Sequence, residues 1–180
     1  IRIPKGAEMS RKDLDDMAPF VATFGAKGIA WTKVTEEGWQ SPIAKFLSDS
    51  EQKEIQKIAD AEVGDVILFS ADSAKVVHDA LGNLRLHLGE KLGLIPENEF
   101  ALVWVIDFPL MDFDPQEKRY VALHHPFTAP LEEDMALLDS EPAKARSKAY
   151  DLALNGIEIG GGSIRIHQVE LQRKILGLMG

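Results

Sequence analysis

Asn155-Gly156-Ile157-Glu158-Ile159-Gly160-Gly161-Gly162-Ser163-Ile164-Arg165-Ile166-His167 is the most informative stretch of the chain. Asn-Gly between apolar runs signals a tight hairpin. The flanking residues are therefore expected to pair as antiparallel strands, Tyr150 to Leu154 before the turn and Ile157 to His167 after it. The glycine triplet is costly in a strand, because glycine loses backbone entropy and packs no side chain. It makes sense where something must approach the backbone closely, or where the strand bulges. An acid, Glu158, and a base, Arg165, flank the triplet, each among isoleucines. The combination suggests a small-molecule site laid on a sheet.

Strand alternation puts Ser163, Arg165 and His167 on one face and Ile164 and Ile166 on the other. An arginine so placed can hold a carboxylate through two parallel hydrogen bonds; the plain alternative is a solvated outer face of an edge strand. Glu158 and Arg165 are an odd number of residues apart, so a regular strand would separate them. A bulge within Gly160-Gly161-Gly162 would bring them to one face. Glu158 would then be available to a hydrated Mg²⁺, which takes one or two carboxylates together with phosphate oxygens; otherwise it is a paired or exposed glutamate. His124-His125-Pro126-Phe127-Thr128 closes another strand. Adjacent histidines on a strand point to opposite faces, which makes a poor metal pair. They either orient a ligand or anchor a loop with Pro126 and Phe127.

Several chemistries are excluded. The triplet lacks the G-x-G-x-x-G form and is not followed by a helix, and no phosphate-loop Lys-Ser/Thr follows it. No Ser/His/Asp triad emerges from the spacing. Asp107, Asp112 and Asp114 read as turn formers, and Glu132-Glu133-Asp134 as a solvated face or helix start. With no Cys in 180 residues, disulfides and thiolate zinc sites cannot form. Hydrophobic content of 45% and charged content of 27% are those of a globular protein, and a net charge of −9 argues against a free-standing nucleic-acid binder. No apolar run is of membrane length.

The rest of the chain falls into two parts, 1–95 and 96–180, divided at Leu94-Ile95-Pro96-Glu97-Asn98. In the first, Ser10 and Ser48 each open a helix, with an acid three residues on. The expected helices run from Ser10 to Phe24, from Ser48 to about Ala61 with Ile55 and Ile58 inward, and from Asp72 or Ser73 to near Gly93. The expected strands are Ile29 to Val34 and the buried Val66 to Ser70. In the second part, strands are expected at Ala101 to Phe108 and Tyr120 to Leu123, joined by a turn over Asp112 to Lys118. Ala129 to Ala145 should be partly helical, and a last helix should cover Val169 to Leu176. Both ends read as cuts in a longer polypeptide.

Three ordered stretches carry a resemblance: Trp104 to Leu110, His124 to Pro130, and Ala149 through His167. Together they closely resemble bacterial-type aspartyl-tRNA synthetases, which are class II aminoacyl-tRNA synthetases. Pro4 to Arg11, Gly25 to Trp31, Ser41 to Leu47 and Leu84-Arg85 resemble the inserted GAD module of the same family. The resemblance implies an α+β fold, a GAD-type insertion module over 1–95 followed over 96–180 by part of a class II antiparallel catalytic sheet. It implies ATP- and Mg²⁺-dependent activation of aspartate and its transfer to tRNA, in a cytoplasmic, non-membrane, homodimeric parent. By motif position, Arg165 would hold the aspartate side-chain carboxylate, His124 would contact the same amino acid, and Glu158 would face ATP and its magnesium. The ATP-binding arginines of this family and its anticodon-binding barrel would lie outside residues 1–180, as would the front of the first GAD strand. No catalytic residue is therefore expected here, and the isolated chain is expected to be inactive and to bind no cofactor. The competing reading is a non-catalytic GAD-type interaction module, related to a subunit of a tRNA-dependent amidotransferase.

Overall fold

The computed structural model describes residues 1–180, which form two compact units, Ile1–Glu97 and Asn98–Gly180. Both are mixed α+β with antiparallel sheets.

In the first unit, β1 (Arg2–Ile3), β2 (Ala30–Thr35), β3 (Gly38–Gln40) and β4 (Val66–Phe69) form a sheet of order β1-β4-β2-β3. The apolar run of β4 is buried on both faces. Val66 and Leu68 pack with Leu14, Met17 and Val21, and with Ala80, Leu84 and Leu88. Ile67 packs on the other face with Val34, Ala61, Ile55 and Trp39. The first group belongs to the helices α1 (Arg11–Asp15), α2 (Met17–Ala22) and α4 (Ala74–Lys91), whereas Ile55 belongs to α3 (Asp49–Ile58). Gly6 lets the chain pass over β4, since a Cβ there would lie 3.0 Å from side-chain atoms of both Ile3 and Val66. Buried Asp65 ties the strand ends together, accepting the backbone N–H groups of Lys5 at 2.9 Å and Glu62 at 3.0 Å. Lys33 Nζ donates to the carbonyls of Ala7 and Met9, both at 2.7 Å. Beside β1 and the end of α4 runs a groove of about 220 Å³, lined by Ile1–Pro4, Arg85, Leu92, Leu94 and Ile95.

Both capping boxes form, Ser10 with Asp13 and Ser48 with Glu51. Three expectations need correction. The helix expected from Ser10 to Phe24 breaks at Asp16, because Pro19 has no N–H to offer Asp15 and its ring crowds that carbonyl. Ile58 is 76% exposed; three residues beyond Ile55 it is turned by about 60° around α3, past the apolar patch. Ser73 precedes α4 without a side-chain capping bond, while Asp72 Oδ1 accepts its backbone N–H at 2.7 Å.

In the second unit, β5 (Leu102–Val105), β8 (Ala149–Leu154) and β9 (Ile157–Ser163) form a sheet of order β5-β8-β9. Asn155 (φ 50°) and Gly156 (φ 81°) make the turn between β8 and β9, both in the left-handed region that such a hairpin requires. β6 (Met111–Asp114) and β7 (Arg119–Ala122) form a separate hairpin. The core lies under that hairpin: Leu110, Met111, Leu138, Ala145 and Ile175 pack with Tyr120 and Leu171. Ile175 and Leu171 come from α6 (Val169–Met179), and Leu138 from α5 (Leu137–Ser140).

The expected second strand therefore joins a hairpin of its own, and its partner β6 lies where only a turn was expected. Asp114 does make the turn, its Oδ1 accepting the N–H groups of Gln116 and Glu117 at 2.8 and 3.1 Å. Asp112 is a strand residue paired with Val121. β5 ends at Val105 rather than Phe108, because Asp107 turns to φ 60° and leaves the extended region. No helix is long and apolar enough to cross a membrane.

Candidate functional site

The chain from β8 to Arg165 is bent by one extra residue. Leu152 faces Gly160 but Ala153 faces Glu158, so Ile159 is left unpaired as a bulge. The bulge lies just before the triplet rather than within it. It turns Glu158 onto the face of β8 and β9 that carries Ala149, Asp151, Ala153, Gly161 and Ser163. β9 ends at Ser163, not His167. The chain then leaves β8 for the segment after His125: Arg165 bridges Thr128, and Ile166 N donates to the Phe127 carbonyl at 2.8 Å. Residues opposed across a bridge share a face, and Thr128 Oγ1 lies 3.2 Å from Ser163 Oγ. Glu158, Gly161, Ser163 and Arg165 therefore follow one another along one side of this run.

The three glycines answer to different neighbours. A Cβ on Gly161 would overlap Asp151 Oδ1 and lie 3.2 Å from Glu158 Oε1. The two carboxylates thus converge over the space its missing side chain leaves. A Cβ on Gly162 would lie 2.9 Å from the Tyr150 hydroxyl and 3.1 Å from its ring, on the opposite face. Gly160 has open space. Asp151 was absent from the sequence-level candidates; its cross-strand register with Gly161 could have exposed it once the hairpin was aligned.

Arg165 and Glu158 are exposed. Arg165 also lines a recess of about 140 Å³ with Lys148, Ile164, Ile166, His167 and Leu171. The histidines differ. His125 Nδ1 accepts the Phe127 N–H at 3.2 Å and its ring meets Phe127 edge-on at 4.9 Å, so it anchors the loop. His124 is exposed, its ring 4.5 Å from that of Phe108. No group of three or more His, Asp or Glu side chains could hold a metal ion by itself.

Beside this run, the acidic stretch expected to be a solvated face or helix start opens a 3₁₀ helix over Glu132–Asp134 and also forms a clamp. Asp134, with 9% of its side chain exposed, accepts Arg146 N at 2.9 Å, Nε at 2.8 Å and Nη2 at 3.1 Å. Glu133 also pairs with Arg146, and Glu132 with Lys148. Hydrogen bonds from Arg146, first from its side chain and then from its backbone, hold the Asp134 carboxyl below its usual range. A carboxyl depressed on folding supports the fold above its unfolded pKa, and that support is lost as pH falls through the folded value. The clamp fixes the segment between Leu131 and Lys148, whose backbone joins Ala129 and Ile164 to Lys148.

Residues 1–81 match the GAD domain family. The chain is 58% identical over 175 residues, 97% of its length, to an aspartate–tRNA(Asp/Asn) ligase of Desulfatibacillum aliphaticivorans, covering 29% of that protein. It is 57% identical over 97% of its length to the ligase of the same name from Syntrophotalea carbinolica, again covering 29% of it. With that of Natranaerobius thermophilus it shares 56% identity over 100% of its length, covering 31% of that protein. The chain thus spans less than a third of these curated relatives.

Proposed function

We propose, from the premise that residues 1–81 match the GAD domain and that similarity to aspartate–tRNA(Asp/Asn) ligases runs through both units, that this chain serves such a ligase. The reaction is ATP-dependent activation of aspartate to an aspartyl-adenylate, followed by transfer to tRNA. The relatives' names supply both acceptors, tRNA(Asp) and tRNA(Asn). The observation that carries the reading is the 56% identity over 100% of the chain, which continues past the GAD match to Gly180. A free-standing GAD module has no reason to continue into that second half.

Within this reading Arg165 binds the side-chain carboxylate of aspartate. Its guanidinium offers a planar fork that matches a carboxylate and rejects a neutral amide. His124, on the neighbouring segment, contacts the same amino acid, while His125 holds the loop. Glu158 and Asp151 are the oxygen donors for a magnesium ion carried in with ATP. Their convergence over Gly161 fits an ion that takes one or two carboxylates and fills its remaining positions with water and phosphate oxygens. When bound, such an ion would neutralise phosphate charge. A homodimeric, cytoplasmic parent enzyme belongs to the same reading.

The test is Arg165→Ala in a full-length ligase carrying these residues, followed by aspartate-dependent ATP–pyrophosphate exchange. Loss of charge-assisted hydrogen bonds should raise KM for aspartate by about tenfold to a hundredfold and leave KM for ATP unchanged. An unaltered aspartate requirement removes Arg165 from the role.

A further inference from the structure

We propose that Gly161 is a positioning residue: the side chain it lacks is what allows the carboxylates of Asp151 and Glu158 to meet. The inference rests on the reading of Glu158 as a magnesium ligand, and it adds the device that builds the seat. Three observations carry it. The bulge at Ile159 turns Glu158 to the face of Asp151. Asp151 sits directly opposite Gly161 in the ladder, so its carboxylate leans across the strand over that residue. A Cβ on Gly161 would overlap Asp151 Oδ1, whereas the same addition at Gly160 meets nothing within 4 Å.

The nearest obstruction at Gly161 is the end of a short side chain. Only the more distant Tyr150 carbonyl, at 3.2 Å, is backbone. Neither Gly160 nor Gly161 has a positive φ. An alanine at Gly161 therefore displaces the Asp151 carboxylate while the strand keeps its pairing. Two adjacent glycines thus differ in what they protect. Gly161 keeps open a place where negative charges gather, and Gly160 is dispensable to that arrangement.

The experiment titrates a full-length ligase carrying these residues with Mn²⁺ in the presence of ATP and follows free Mn²⁺ by electron paramagnetic resonance against an enzyme-free ATP blank, with thermal melting as the control for folding. Gly161→Ala is expected to bind Mn²⁺ at least about tenfold more weakly at an undiminished melting temperature. Gly160→Ala should bind as the unsubstituted ligase does. Because Gly161 acts through Asp151, the effects of Gly161→Ala and Asp151→Asn should not add in the double variant. Additive effects, or unaltered Mn²⁺ affinity in Gly161→Ala, overturn the positioning role and leave the carboxylate seat standing. If the unsubstituted ligase takes up no Mn²⁺ beyond the ATP blank, the seat falls and the inference falls with it, while the aspartate-binding role of Arg165 is untouched.

Discussion

Two apolar strands of nearly the same composition meet opposite fates. β4, Val66-Ile67-Leu68-Phe69, is buried on both faces. β5, Leu102-Val103-Trp104-Val105, is exposed along its whole length, with Trp104 at 60% and neighbouring Phe100 at 83%. The difference lies in the cover. The first unit lays helices over one face of its sheet and closes the other with α3, Ala61 and Trp39. The second unit gathers its core under the β6–β7 hairpin and α6, away from β5, β8 and β9. An apolar run states what a strand requires; burial depends on other elements arriving. Long bare apolar strands are also the surfaces on which sheets associate.

Substitutions in the two regions should therefore have very different weights. Leu84→Ala, in the centre of the first core, should cost about 2–5 kcal/mol of unfolding free energy, read by urea denaturation from Trp31 and Trp39 fluorescence. A cost below that of a surface change would mean the first core is not packed as described. Asp65→Ala strands the N–H groups of Lys5 and Glu62 and should cost about 1–3 kcal/mol. Ser48→Ala removes one half of a capping box and should cost about 1 kcal/mol; restoration by Ser48→Asp would tie the loss to the cap. Trp104→Ala should change stability by less than about 0.5 kcal/mol while lowering the binding of a hydrophobic dye. If Trp104→Ala destabilised the chain as much as Leu84→Ala, the contrast between the two sheets would not stand.

Local signals were readable in the residues wherever one short segment determines its own geometry. Ser10 with Asp13 and Ser48 with Glu51 cap helices as their spacing foretells, and Asn155-Gly156 turns the hairpin. Signals that depend on distant partners were not. Met111-Asp112-Phe113-Asp114 alternates like a strand, but two aspartates pointed to a turn, and only the pairing with β7 decides it. Pro19 breaks a helix whose apolar spacing is otherwise continuous. The glycine triplet pointed to a bulge, yet the unpaired residue is Ile159, because register is set jointly with β8. Asp151 gains significance only from what lies across the strand. Arg165 stood out by its chemical type, whereas its bridge to Thr128 could not be read from spacing.

The groove beside β1 has an architectural consequence. The same groove is lined by Ile1–Pro4 and by Leu92, Leu94 and Ile95, so the opening and closing segments of the first unit adjoin. The unit is thereby closed on itself at that seam, and loosening of either segment uncovers the apolar side of the other.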